Sequence, residues 1–152
     1  MVTQSQTRAT PSRKRETEPE LAPRLRLAIA RLARRLRQEG GTDLGPSQLV
    51  ALATIERHGP LAPSELAERE RIKRPTATRI VANLERAGLL TRVRDPEDGR
   101  SSILSVTADG RALLRRLRER KTAFLARRLR ELPAQDRRTL ERAAELLEGM
   151  LE

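Results

Sequence analysis

The chain contains no cysteine, one histidine, one aromatic residue, and only three lysines among its 32 basic side chains. Lack of cysteine excludes disulfides, thiol redox sensing and Cys-based zinc sites within the chain. The single histidine, His58, argues against a His-rich metal centre, and no triad partner for it is identifiable, so neither a metal nor a catalytic residue is expected. His58 precedes Gly59 and Pro60 at the expected end of a helix, where a donor side chain suits the exposed carbonyls. No apolar run approaches the roughly 18 residues needed to span a bilayer, so a soluble, cytoplasmic protein without membrane contact is expected.

What the chain has in excess is arginine. At 152 residues it is long enough for one domain with a real core, and its formal net charge of +11 favours polyanionic partners. Much of the excess lies on flanking segments, Arg31 to Arg37 and Arg111 to Arg130. Residues 1–20 are polar, with Arg8, Arg13, Lys14 and Arg15 ahead of the first acid, and read as a disordered basic tail that could add phosphate contacts.

The segment from Leu61 to Thr107 carries the most information. Pro63 suits a first helical turn, with Ser64 and Glu65 near the positive helix end, predicting a helix from Pro63 to about Glu70. Ile72 closes a turn in which Arg71 and Lys73 point to solvent. Pro75 then opens a second helix, since the residue before a proline is disfavoured in the α region. Ala77, Ile80, Val81 and Leu84 recur at spacings of three and four, a buried stripe, opposite Arg74, Thr76, Thr78, Arg79, Asn83 and Arg86. Gly88 supplies the left-handed stop.

A hairpin follows. Thr91-Arg92-Val93-Arg94 and Ile103-Leu104-Ser105-Val106 read as strands around Asp95-Pro96-Glu97-Asp98-Gly99-Arg100, a stretch rich in turn formers. Two short helices and a hairpin build a winged helix-turn-helix, spanning residues 46–107 with the helix that starts at Pro46. The loop should project, and Asp98 can hold the Arg100 guanidinium across Gly99. The wing itself is neutral, so charge alone supports DNA binding only modestly.

Around this core the spacing predicts further helices. Leu21, Leu25, Ala28 or Ile29, Leu32 and Leu36 form one stripe ending at Gly40-Gly41; Leu49, Leu52, Ala53 and Ile55 form another, with Gly45 as N-cap and Gln48 reaching back. Thr107 caps a long helix carrying Leu113, Leu114, Leu117, Phe124, Leu125 and Leu129. Pro133 breaks it, and a last helix carries Leu140, Ala143, Ala144, Leu146, Leu147, Met150 and Leu151. Such terminal stripes need burial, which suggests a partner subunit. The fold class is mainly α with a β wing, residues 21–152 forming one domain.

Five fragments carry a resemblance: Gly45-Pro46-Ser47-Gln48-Leu49, Pro63-Ser64-Glu65-Leu66-Ala67, Thr76-Ala77-Thr78-Arg79-Ile80-Val81 with Leu84-Glu85-Arg86-Ala87-Gly88-Leu89-Leu90, Asp95 to Arg100, and Thr107-Ala108-Asp109-Gly110-Arg111. In this order and spacing they resemble the MarR family of bacterial regulators, from about Leu21 to the C-terminus. The resemblance implies a transcriptional regulator, a repressor released from a palindromic operator by a small lipophilic or phenolic effector, with no enzymatic activity and no cofactor. It implies a homodimer built by the terminal helices, residues 21–40 and 108–152, through Leu21, Leu25, Leu32, Leu125, Leu129, Leu140, Leu147, Met150 and Leu151.

It also implies that Arg74, Pro75, Thr76, Thr78 and Arg79 face the major groove and that Arg100 enters the minor groove. Lys73, Asn83 and Asp98 complete the expected DNA-binding set. For Arg79, base reading and phosphate positioning both remain open. Two positions depart from the pattern: Lys73 and Ala62 stand where a polar helix cap is usual, at a cost of about 1 kcal/mol each. No motif marks an effector pocket, and with Phe124 as sole aromatic a crevice here would be lined by Leu, Ile and Ala. Constitutive DNA binding is the other possibility. The competing class is an Arg-rich helical scaffold that binds nucleic acid without sequence preference.

Overall fold

A computed structural model describes residues 17–99 and 102–151. Among these residues six helices and one two-stranded sheet follow in the order α1 (Glu18–Gly40), α2 (Pro46–His58), α3 (Pro63–Arg69), α4 (Arg74–Arg86), β1 (Leu90–Arg94), β2 (Ser102–Val106), α5 (Ala108–Arg130) and α6 (Ala134–Gly149). The chain divides into two compact units within α1, the first ending at Arg35 and the second starting at Leu36. Among the described residues no helix is long and apolar enough to cross a membrane.

In the first unit, α1 begins three residues before the expected Leu21. Counting the apolar stripe from Leu21 overlooked a capping pair: the Thr17 N–H and hydroxyl both donate to Glu20 Oε2 at 2.9 Å. These bonds hold the Glu20 carboxyl below its ordinary value. Leu21, Leu27, Ile29 and Leu32 are exposed on this helix, and Leu25 is half-buried.

The second unit is built on Leu52, Ile55, Leu66, Val81, Leu84 and Leu104, all essentially inaccessible to solvent. They come from α2, α3, α4 and β2, so the core lies beneath the two short helices and the base of the hairpin. α2 starts as expected, with the Gln48 amide oxygen accepting the Gly45 N–H at 2.9 Å, and ends with His58 exposed in its last turn. Thr107 caps α5 by accepting the Gly110 N–H at 3.1 Å, while its own hydroxyl donates to the Gly88 carbonyl at 2.7 Å.

β1 and β2 pair antiparallel from Leu90↔Val106 to Arg94↔Ser102. Leu61, just before α3, forms a bridge on the other side of β2: its N–H donates to Leu104 O at 3.3 Å and its carbonyl accepts the Leu104 N–H at 2.8 Å. Gly110 is buried at the start of α5, where an added Cβ would collide with the Leu89 carbonyl and lie 2.7 Å from Val106 Cγ1. Arg120 donates to the Gly40 carbonyl at 3.1 Å, fastening the end of α1 to α5 within this unit. Phe124 is buried, with the guanidinium carbons of Arg127 and Arg128 at 5.9 and 5.6 Å from its ring centre. No residue of α6 is buried.

Candidate nucleic-acid interface

The interface is shaped by how α3 and α4 begin and end. α3 lacks a side-chain cap at Ala62, but Glu65 reaches back to accept the Ala62 N–H at 2.7 Å, so the acid supplies half of a capping box. Its far end turns through Arg71, which has a positive φ of 52°. The Ile72 N–H bonds the Ala67 carbonyl at 2.9 Å and the Arg71 N–H bonds the Glu68 carbonyl at 3.1 Å. For a residue with a Cβ this left-handed geometry costs about 1 kcal/mol.

α4 starts at Arg74, one residue before the expected Pro75. Lys73 takes the extended conformation instead, with ψ of 145°, and its carbonyl accepts the N–H groups of Thr76 and Ala77 at 2.9 and 3.1 Å. Pro75 is tolerated because its missing N–H still falls among the unbonded donors of the first turn. The Lys73 side chain makes no capping bond, and the first turn carries no acid. α4 ends as expected: Gly88 has φ of 72°, the Leu89 N–H bonds the Leu84 carbonyl and the Gly88 N–H bonds the Glu85 carbonyl, both at 2.9 Å.

Ala77, Ile80, Val81 and Leu84 are buried, which fixes the rotation of α4. At 100° per residue Pro75, Arg79 and Arg86 lie opposite that stripe, with Thr78 and Asn83 beside them and Arg74 and Thr76 at its margins. Lys73, Arg74, Pro75, Thr78 and Arg79 are exposed; Thr76 and Asn83 are half-buried. The Thr78 hydroxyl donates to the Arg74 carbonyl at 3.0 Å. Arg86, not among the expected contacts, shares the outer line and donates to Asn83 Oδ1 at 3.4 Å. Its place in the 3.6-residue repeat with Arg79 was the signal available.

Arg92 of β1 does not face outward freely, because Glu85 of α4 holds it through both carboxylate oxygens. That bond raises the Arg92 pKa above its ordinary value. In the loop, Asp95 Oδ1 accepts the Glu97 N–H at 2.9 Å, and Asp98 is exposed. Arg100, and therefore its expected pairing with Asp98, lies outside the described residues.

Away from this face, α2 and α5 enclose a crevice of about 320 Å³ lined by Leu49, Val50, Ala53, Leu114 and Leu117, with Arg37, Arg118 and Lys121 among its other residues. Its apolar walls are Leu, Val and Ala, without the expected isoleucine, and cations accompany them. Arg118 is paired with Glu56.

Residues 44–102 match the MarR family. An HTH-type transcriptional regulator of Mycobacterium tuberculosis is 36% identical over 138 residues, covering 90% of this chain and 96% of the relative. A transcriptional regulator of Pseudomonas aeruginosa, known by crystal structure, superposes with a TM-score of 0.80 at 33% identity, over 90% of this chain and 99% of the other. At 18% identity, the Staphylococcus aureus MepR F27L mutant bound to an oligodeoxyribonucleotide shares the fold, with a TM-score of 0.70 over 87% of this chain and 98% of that one. The chain belongs to the MarR family of winged helix-turn-helix transcriptional regulators, DNA-binding proteins and not enzymes.

Proposed function

We propose that this chain is a cytoplasmic repressor that binds a palindromic operator as a homodimer. The observation that carries the reading is the solvent side of α4, where the guanidinium groups of Arg79, opposite the buried stripe, and Arg74, at its margin, are exposed with no partner among the described residues. Arginine can bridge O6 and N7 of guanine, and a threonine methyl, here that of the exposed Thr78, suits a thymine methyl. Lys73 and Asn83 flank these contacts, Thr76 lies at the margin, and Arg100 is assigned to the minor groove.

Leu129, Leu140, Met150 and Leu151 are exposed on the C-terminal segment, and Leu21 and Leu32 on α1; the reading gives these a second copy to cover them, together with Leu25, Leu125 and Leu147. Two α4 helices related by a two-fold axis would meet successive major grooves about 34–36 Å apart. For the effector, the α2–α5 crevice fits a lipophilic or phenolic molecule, its aliphatic walls taking the apolar part and Arg37 or Lys121 a phenolate or carboxylate. Binding there would release DNA by changing the spacing of the two α4 helices.

The test is selection of bound fragments from random DNA, followed by Arg74→Ala, Arg79→Ala and Arg100→Ala on the enriched site. A palindromic motif should emerge, and each substitution should weaken its binding. Enrichment of no motif would favour the non-specific scaffold instead. A melting shift with phenolic ligands tests the crevice.

A further inference from the structure

Arg71 is the one non-glycine residue with a positive φ among those described. It occupies the turn between α3 and α4, a place glycine or asparagine fills with less strain. Ile72 packs against the core, while Arg71 and Lys73 on either side of it are exposed. The Arg71 side chain has no hydrogen bond or ion pair with any described residue. Arg69, Lys73 and Arg74 beside it are exposed cations, Glu68 is an exposed acid and Glu70 accepts the Thr54 hydroxyl, and neither carboxylate pairs with the Arg71 guanidinium.

In the protein alone, this guanidinium therefore makes no bond that would offset the backbone strain of its residue. An anion against this turn would give the guanidinium a partner. We propose that Arg71 is a further DNA-contacting residue, one that binds a backbone phosphate beside the groove entered by α4. The inference rests on the reading that α4 enters a major groove, and it adds a contact outside that helix. Since phosphates are the same in every sequence, Arg71 contributes affinity and salt dependence but no base preference.

The experiment compares the full chain with Arg71→Gly, Arg71→Asn and Arg71→Lys, on the selected operator and on an unrelated duplex, over a series of salt concentrations. Glycine at this turn should raise Tm by about 2–8 °C. The same variant should bind both duplexes about fivefold more weakly near physiological salt, with the log–log salt slope shallower by about one unit. Asn should match Gly in binding, and Lys should keep the wild-type slope. Stability and affinity thus move in opposite directions, which a solvated turn residue would not produce. Unchanged affinity and slope for both Gly and Asn, on an operator that the wild type binds, would overturn the inference and leave the α4 reading standing. A loss confined to the operator would overturn it too, by making Arg71 a base reader. If the wild type enriches no DNA at all, the α4 reading fails and the inference falls with it.

Discussion

Arg92 and Glu85 are joined twice, Nε to one carboxylate oxygen at 3.0 Å and Nη2 to the other at 3.2 Å, so the first wing strand is fastened to the last turns of α4. The pairing is parallel and bidentate, the geometry in which a guanidinium and a carboxylate match best. It also spends the Arg92 charge inside the protein. The side chains are 41% and 28% exposed, so solvent screens the pair and its worth to stability is below about 1 kcal/mol.

Glu85→Gln should accordingly leave the urea midpoint almost unchanged while amide exchange at Arg92 to Arg94 speeds up. Its effect on DNA should concentrate at operator positions assigned to the wing. A stability loss above about 2 kcal/mol would mean that the pair supports the core as well.

Gly110→Ala should cost about 1–3 kcal/mol in chemical denaturation, because the new methyl meets the Leu89 carbonyl and Val106 Cγ1 where α5 meets the hairpin. An unchanged midpoint would show that α5 can slide away from β2.

The Thr17–Glu20 cap has a definite pH signature. Glu20 titrates below its ordinary value of 4.5 because Thr17 donates two bonds to its ionised form. A carboxyl with a depressed pKa stabilises the folded state above its unfolded pKa, and that contribution is lost as pH falls through the folded one. Protection of the first turn of α1 should thus persist at neutral pH and fade below about pH 4.5. Glu20→Gln should abolish this dependence, as followed by hydrogen exchange or NMR.

Leu140→Asp and Leu147→Asp test the proposed subunit contact. Both sit on a helix with no buried residue, so either should give a monomer in sedimentation at micromolar concentration with the winged region still folded. By contrast, Leu52→Ala, at a fully buried position, should cost about 2–5 kcal/mol regardless of association. A wild-type chain already monomeric under these conditions would remove the dimer from the proposed function.

Local signals were legible because each acts within a turn of chain. Pro63, Gly88 and Thr107 mark their helix ends by missing donors, left-handed geometry and a capping hydroxyl, and the α4 stripe follows from the helical period alone. The start at Glu18 was also legible, as a Thr three residues before a Glu, but the apolar count from Leu21 outweighed it. Arg74 entered α4 because two bonds to the Lys73 carbonyl outweigh the local bias of a residue before proline. The Glu85–Arg92 pair and the left-handed Arg71 depend on how the chain returns on itself, and no spacing rule encodes either. Burial of the Ala77, Ile80, Val81 and Leu84 stripe turns Pro75 and Arg79 to the outer side of α4, whereas Arg74 and Thr76 lie at the margins of that stripe, a distinction that spacing alone blurred.

The bridge between Leu61 and Leu104 bears on how this region carries load. Both backbone groups of Leu104 are tied to Leu61, immediately ahead of α3, while β2 continues toward the wing tip. Force on the tip therefore passes along β2 straight to the root of α3, and the Glu85–Arg92 tie delivers a second share to α4. The hairpin is thus tied by backbone bonds to the root of α3 and by one side-chain pair to α4, so displacing the wing would strain both attachments.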